Sequence, residues 1–203
     1  MVGNDVVDLA DPETRDGACH ARFDERVFGA LELATLRISA EPARLRWLLW
    51  AAKEASYKVA RKDDPRTVFS PRAFEVCLTR RDRARVQHGA RSFAVALELG
   101  DEYVHAVATA ERGDAAGLRL AACARLPGRP AQPGAAAREL ALARVAAALG
   151  VPAGELAVAY AGRVPRLVTR AGAPLGDLSL SHHGRFVAFA CELPRAAASR
   201  SAA

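Results

Sequence analysis

The sequence has no CxxC pair, no metal-finger spacing among its four cysteines (Cys19, Cys77, Cys123 and Cys191), and no basic-then-apolar leader at its start. Those absences exclude a zinc ribbon and a disulfide framework, and the expectation is a set of free thiols in a reducing cytoplasm. No apolar run approaches the roughly 20 residues that span a bilayer, because Arg or Glu interrupts each one, so no membrane partner is expected. Lysine is nearly missing. Of 29 basic residues only Lys53, Lys58 and Lys62 are lysine, and these fall within ten residues of one another. Aromatic residues make up 6% of the chain, and neither an aromatic platform nor a helix-turn-helix pattern accompanies the net charge of +6. A nucleic-acid partner is therefore set aside, and the Arg-rich basicity is read as a compositional bias that goes with the abundance of Ala.

What is present is a chain of 203 residues, 51% hydrophobic, long enough for one large domain or two small ones packed together. Residues 3–10, GNDVVDLA, read as a short strand with acids at Asp5 and Asp8. From Glu41 to Arg61 the segment is rich in Ala, Leu, Lys and Glu, with a Pro near its first turn, which predicts a helix. Extended segments follow at 67–78, 91–99 and 103–110, a strand meander. A second block opens near Gly117 with the apolar run LRLAACARL, then a Pro/Gly-rich connector at 128–136 that reads as a mobile loop. A helix over 136–149, stopped by Gly150 and Pro152, precedes two extended segments, LAVAYAG and LSLSHHGRFVAFACEL. The blocks share an order of strand, helix and strands, and their last strands, 102–111 and 185–193, are alike. That pattern fits an internal duplication, although two amphipathic strands of this length can also match without common origin.

On a helix, Trp50, Glu54 and Lys58 fall at i, i+4 and i+8, so a carboxylate and an ammonium share one stripe. Alone that is a solvated ion pair of a few tenths of a kcal/mol. Asp5, an acid among small apolar residues on a strand, needs a partner if it is buried, and hard cations such as Mg²⁺ take one or two carboxylates together with phosphate oxygens. GNDVVDL followed by WAAKEASYK resembles the GxD and WxxKEAxxK signatures of the 4′-phosphopantetheinyl transferase superfamily, and LSLSHHGRFVAFA resembles its SLSHS segment with the aromatic-rich strand that follows.

The resemblance implies an enzyme that moves the phosphopantetheine arm of coenzyme A onto a serine of an acidic acyl or peptidyl carrier protein. It places Mg²⁺ on Asp5 and Glu54, with Glu54 also accepting the serine proton, and Lys58 on phosphate. Lys53, from the same cluster of lysines, would bind CoA with Lys58, and Ser181 and His182 would contact the CoA phosphates. Gly162-Arg163-Val164-Pro165 is similar to the family's GKP-like element near the adenine, though Val164 breaks the spacing. Arg138, early in the second helix, is a candidate for the 3′-phosphate by position. The motif order, GxD first and SLSH last, resembles holo-acyl-carrier-protein synthase, whose shorter chains build each site between subunits.

At this length the expectation is instead a monomeric pseudodimer: an α+β fold of two similar halves, 1–114 and 115–194, each a helix against a small antiparallel sheet, with a disordered tail over 195–203. The site would lie between the halves. One departure is Val7, which stands where the monomeric type carries a further acid, while Asp8 should point to the opposite face from Asp5. A catalytically silent CoA-binding or carrier-binding homologue is the alternative that this departure keeps open.

Overall fold

Two five-stranded antiparallel sheets, each carrying one long helix, account for most of the chain in a computed structural model that describes residues 1–15, 17–111 and 117–194. The first half runs β1 (Val2–Asp8), α1 (Phe23–Val27), α2 (Ala30–Ile38), α3 (Pro42–Asp63), β2 (Glu75–Arg80), β3 (Arg83–His88), β4 (Arg91–Leu99) and β5 (Tyr103–Ala110). The second runs β6 (Leu118–Arg125), α4 (Pro133–Leu149), β7 (Leu156–Ala161), β8 (Val164–Thr169), β9 (Pro174–His183) and β10 (Phe186–Leu193). Strand order is β1-β5-β4-β3-β2 in one sheet and β6-β10-β9-β8-β7 in the other, the same order twice. This is an α+β fold of two similar halves. The expected boundary at 114/115 and the tail at 195–203 lie outside the described residues.

Several boundaries differ from the sequence reading for local reasons. The extended segment at 67–78 shrinks to β2, because Pro71 starts a short 3-10 turn ahead of it. The connector at 128–136 gives its last four residues to α4, whose first residue is Pro133, where a missing N–H is harmless. Gly150, at φ 66°, then ends α4 in the left-handed conformation, with the amide of Val151 bonded to the Ala146 carbonyl.

The registers make the duplication quantitative. Adding 83 to β5 positions gives β10, and adding 117 to β1 positions gives β6. The hydrogen bond from Leu9 N to Glu102 O (2.7 Å) accordingly has its counterpart from Leu126 N to Arg185 O (2.8 Å). Tyr103 and Phe186, equivalent by this rule, face each other with ring centroids 4.9 Å apart, which marks the pseudo-twofold axis.

Around that axis the charges alternate. Arg185 grips Asp8 (2.8 Å to Oδ1) and reaches Glu102 (3.0 Å), and Glu102 also meets Arg125 (3.0 Å). Burial alone would raise the Asp8 pKa, but the bonds from Arg185 and from the amide of Ala10 outweigh it and hold the carboxyl at about 2. A carboxyl depressed in this way adds stability above its ordinary pKa of 3.8 and loses it as pH falls through about 2. Arg185→Ala strands a buried carboxylate and should cost about 3 kcal/mol at pH 7. Urea denaturation at pH 7 and again below pH 3, where the difference should shrink, checks this.

The halves are joined by a comb of side chains. Amides of Val2, Asn4, Val6 and Asp8, on the free edge of β1, donate to Asp177 Oδ2 (2.6 Å), Ser179 Oγ (2.9 Å), Ser181 Oγ (3.2 Å) and His183 Nδ1 (3.1 Å) of β9. An edge strand left bare would be an aggregation hazard, and here a second sheet's side chains cover it. No helix among the described residues is long and apolar enough to cross a membrane.

Candidate active site

Residue 3 must be glycine for the site to form. Gly3 faces α3, and a methyl placed there would stand 3.0 Å from Val59 Cγ2 and closer still to the carbonyl oxygen of Ala55. Without a side chain at Gly3, β1 lies directly against the middle of α3, which places Asp5, two residues along on the same strand face, beside the turn that carries Glu54 and Lys58. Ala55, fully buried, is the small residue on the helix side of this contact. Val7 follows on the same face and joins the hydrophobic core with Leu48, Ala52 and Val104, whereas Asp8 points to the opposite face and is occupied by Arg185.

Asp5 Oδ1 accepts from Lys58 Nζ (2.9 Å) and from Ser181 Oγ (2.8 Å). Lys58 Nζ also donates to the carbonyl of Asn4 (2.7 Å), so the ammonium is fixed against the strand. The half-buried Glu54 carboxylate, by contrast, receives no hydrogen bond among the described residues. Its pKa is pushed up to about 7, first by burial and then by the charge of Asp5, with Lys58 opposing. Two carboxylates crowded together, one with no hydrogen-bond donor of its own, are a donor set that a hard divalent cation fits. His182 is exposed beside them. Partial removal from water, then the Lys58 ammonium, lowers its pKa below that of an ordinary imidazole.

A cleft of about 190 Å³ adjoins these groups and is lined by Tyr57, Lys58, Arg61, Arg163 and Pro165. It lies where the C-terminal part of α3 meets the β7–β8 turn and β9. Arg61, which donates to Tyr57 Oη (2.6 Å), extends the Trp50–Glu54–Lys58 stripe by one more turn. Neither Tyr57 nor Arg61 is a fixed position of the motifs, although their spacing from Glu54 places them on its side of α3.

Three expected contributors lie elsewhere or are already engaged. Lys53 is fully buried on another face of α3, with Nζ held by Glu32 (2.7 Å) and by the carbonyls of Pro71 (3.1 Å) and Phe74 (2.6 Å), so it fastens α2 and the 71–74 turn and does not reach the cleft. Arg138 donates to Tyr160 Oη (3.3 Å) on the outermost strand of the second sheet and does not line the cleft. Ser181 is buried, with its hydroxyl committed to Asp5 and to the amide of Val6.

The pseudo-twofold relates this region to a wider cleft of about 570 Å³ between the outer face of the first sheet and β6, lined by Ala94, Ala96, Glu98, His105 and Arg119. There Ala122 stands at the position of Asp5, and Ala94 and Ala96 at those of Asp177 and Ser179. The fold is duplicated and the chemistry is not. A separate trio, Asp11, Glu13 and His183, brings ligand atoms within 4.8 Å of one another, but Arg129 already lies 3.7 Å from Asp11 and 3.6 Å from Glu13.

Fold and site together define a two-halved α+β protein with paired carboxylates and a cation-lined cleft at the seam of its halves. A sequence model of the 4′-phosphopantetheinyl transferase superfamily matches residues 1–108, which contain Asp5, Glu54 and Lys58, and the chain belongs to that superfamily. It is thereby a transferase of the phosphopantetheinyl kind. No curated protein matches the chain.

Proposed function

We propose that this protein transfers 4′-phosphopantetheine from coenzyme A to a serine of an acyl or peptidyl carrier protein, acting as a cytoplasmic monomer. The observation that carries the reading is the convergence of Asp5, Glu54 and Lys58, from β1 and α3, beside a cleft rimmed by Arg61 and Arg163. Asp5 and Glu54 would hold Mg²⁺, which when bound neutralises the diphosphate of CoA. Lys58 offsets charge on the same diphosphate, and Arg61 and Arg163 hold the nucleotide end through its phosphate. The Glu54 carboxylate accepts the proton of the carrier serine as its oxygen bonds to the β-phosphorus. The bond from that phosphorus to the bridging oxygen breaks, and adenosine 3′,5′-bisphosphate leaves. An acidic carrier suits a protein of net charge +6.

The test is chromatographic detection of adenosine 3′,5′-bisphosphate from CoA, apo carrier protein and Mg²⁺. Its absence with every carrier class, despite CoA binding, would favour a silent homologue. Arg163→Ala removes a charge-assisted contact of about 1.5–3 kcal/mol, so the KM for CoA should rise tenfold or more with kcat little changed. Steady-state kinetics with CoA varied at saturating carrier checks this.

A further inference from the structure

We propose that Ser181 is a positioning residue for Asp5, not a contact for substrate phosphate; this rests on the function proposed above. A serine hydroxyl has one proton to donate. Ser181 spends it on Asp5 Oδ1 at 2.8 Å, and its oxygen accepts the Val6 amide at 3.2 Å. The residue is 6% exposed, so a phosphate oxygen could take that proton only by breaking the Asp5 bond in a space closed to it. Lys58 donates to the same carboxylate oxygen at 2.9 Å. Two donors converge on Oδ1, which fixes the plane of the carboxylate and leaves Oδ2 without a protein donor among the described residues. That oxygen is the one available to a cation shared with Glu54.

Among the bonds that cross the seam, the one that reaches the Asp5 carboxylate comes from this hydroxyl, 176 residues away in sequence. Ser179 supplies a built-in control. It caps the Asn4 amide at 2.9 Å in the same comb, is buried to 3% exposure, and makes no bond to Asp5. Losing either serine removes one cap from β1, and only the loss of Ser181 also releases Asp5.

The experiment compares Ser181→Ala with Ser179→Ala by Mn²⁺ binding, followed by electron paramagnetic resonance without CoA, and by CoA affinity measured calorimetrically in EDTA. The expected result is a Mn²⁺ Kd raised about tenfold in Ser181→Ala and less than twofold in Ser179→Ala, with CoA affinity in EDTA unchanged within twofold in Ser181→Ala. Ser181→Thr, which keeps the hydroxyl, should restore Mn²⁺ binding. Unchanged Mn²⁺ affinity in Ser181→Ala, equal losses in both alanine variants, or a loss of CoA affinity in EDTA by Ser181→Ala would each overturn the assignment. Failure of the wild type to bind Mn²⁺ would instead strike the proposed function. Metal-free crystal structures of both variants then decide the positioning, since an Asp5 rotamer retained in Ser181→Ala overturns it.

Discussion

Glu54→Gln should lower transfer by about a thousandfold or more while leaving the fold intact. The amide keeps the volume of the carboxylate and loses both its affinity for a hard cation and its ability to take the serine proton. The same variant should not be less stable, and the sign of the pH dependence says where it gains. Burial and the charge of Asp5 raise the folded-state pKa of Glu54 from 4.5 to about 7, so the folded protein prefers the protonated form. The stability contributed by that preference is present below about 4.5 and is lost as pH rises through about 7. In EDTA, urea midpoints of Glu54→Gln should therefore gain on wild type between pH 5 and pH 7.5. Wild-type turnover by this variant would remove Glu54 from the chemistry.

Gly3→Ala should be the most damaging small substitution in the first half. The added methyl meets the backbone of Ala55, which no rotamer change can move, so β1 and α3 must separate. Overpacking of a well-filled core costs about 1–3 kcal/mol, and a clash with helix backbone belongs at the upper end of that range or beyond it. The separation also parts Asp5 from Glu54 and Lys58. Stability should fall by about 3 kcal/mol, and any folded fraction should transfer less than about a hundredth as fast as wild type, because small displacements of positioned groups are expensive in rate. Equilibrium denaturation followed by turnover of the folded material checks both. A variant of unchanged stability would mean that this contact does not set the helix position.

These effects explain which parts of the site were legible in the sequence. GxD and KEA could be read because each letter answers a local demand: glycine for the close approach, aspartate two residues on along one strand face, glutamate on the outward stripe of α3, alanine to face Gly3. Lys53 was misleading for the same reason. Its place beside Glu54 in the chain says nothing about its place around the helix, and at 100° per residue it turns away, toward Glu32. The comb between β1 and β9 could not be foreseen, since it depends on how two sheets meet across 175 residues. Ser181, a phosphate contact by resemblance, here donates to Asp5 and accepts the amide of Val6. In the sequence the duplication shows in the shared order of elements and in the last strands, but not in the motifs, since the second copy has Ala122 where the first has Asp5.

The central claim, phosphopantetheinyl transfer at the seam of the two halves, is tested most directly by intact-mass spectrometry of an apo carrier protein incubated with this protein, CoA and Mg²⁺. The expected result is a gain of roughly 340 Da on the carrier serine, abolished by EDTA and by Glu54→Gln, as for transfer that depends on a bound metal and a carboxylate base. A carrier mass that stays unchanged across acyl and peptidyl carriers, with CoA bound and Mg²⁺ present, would contradict it.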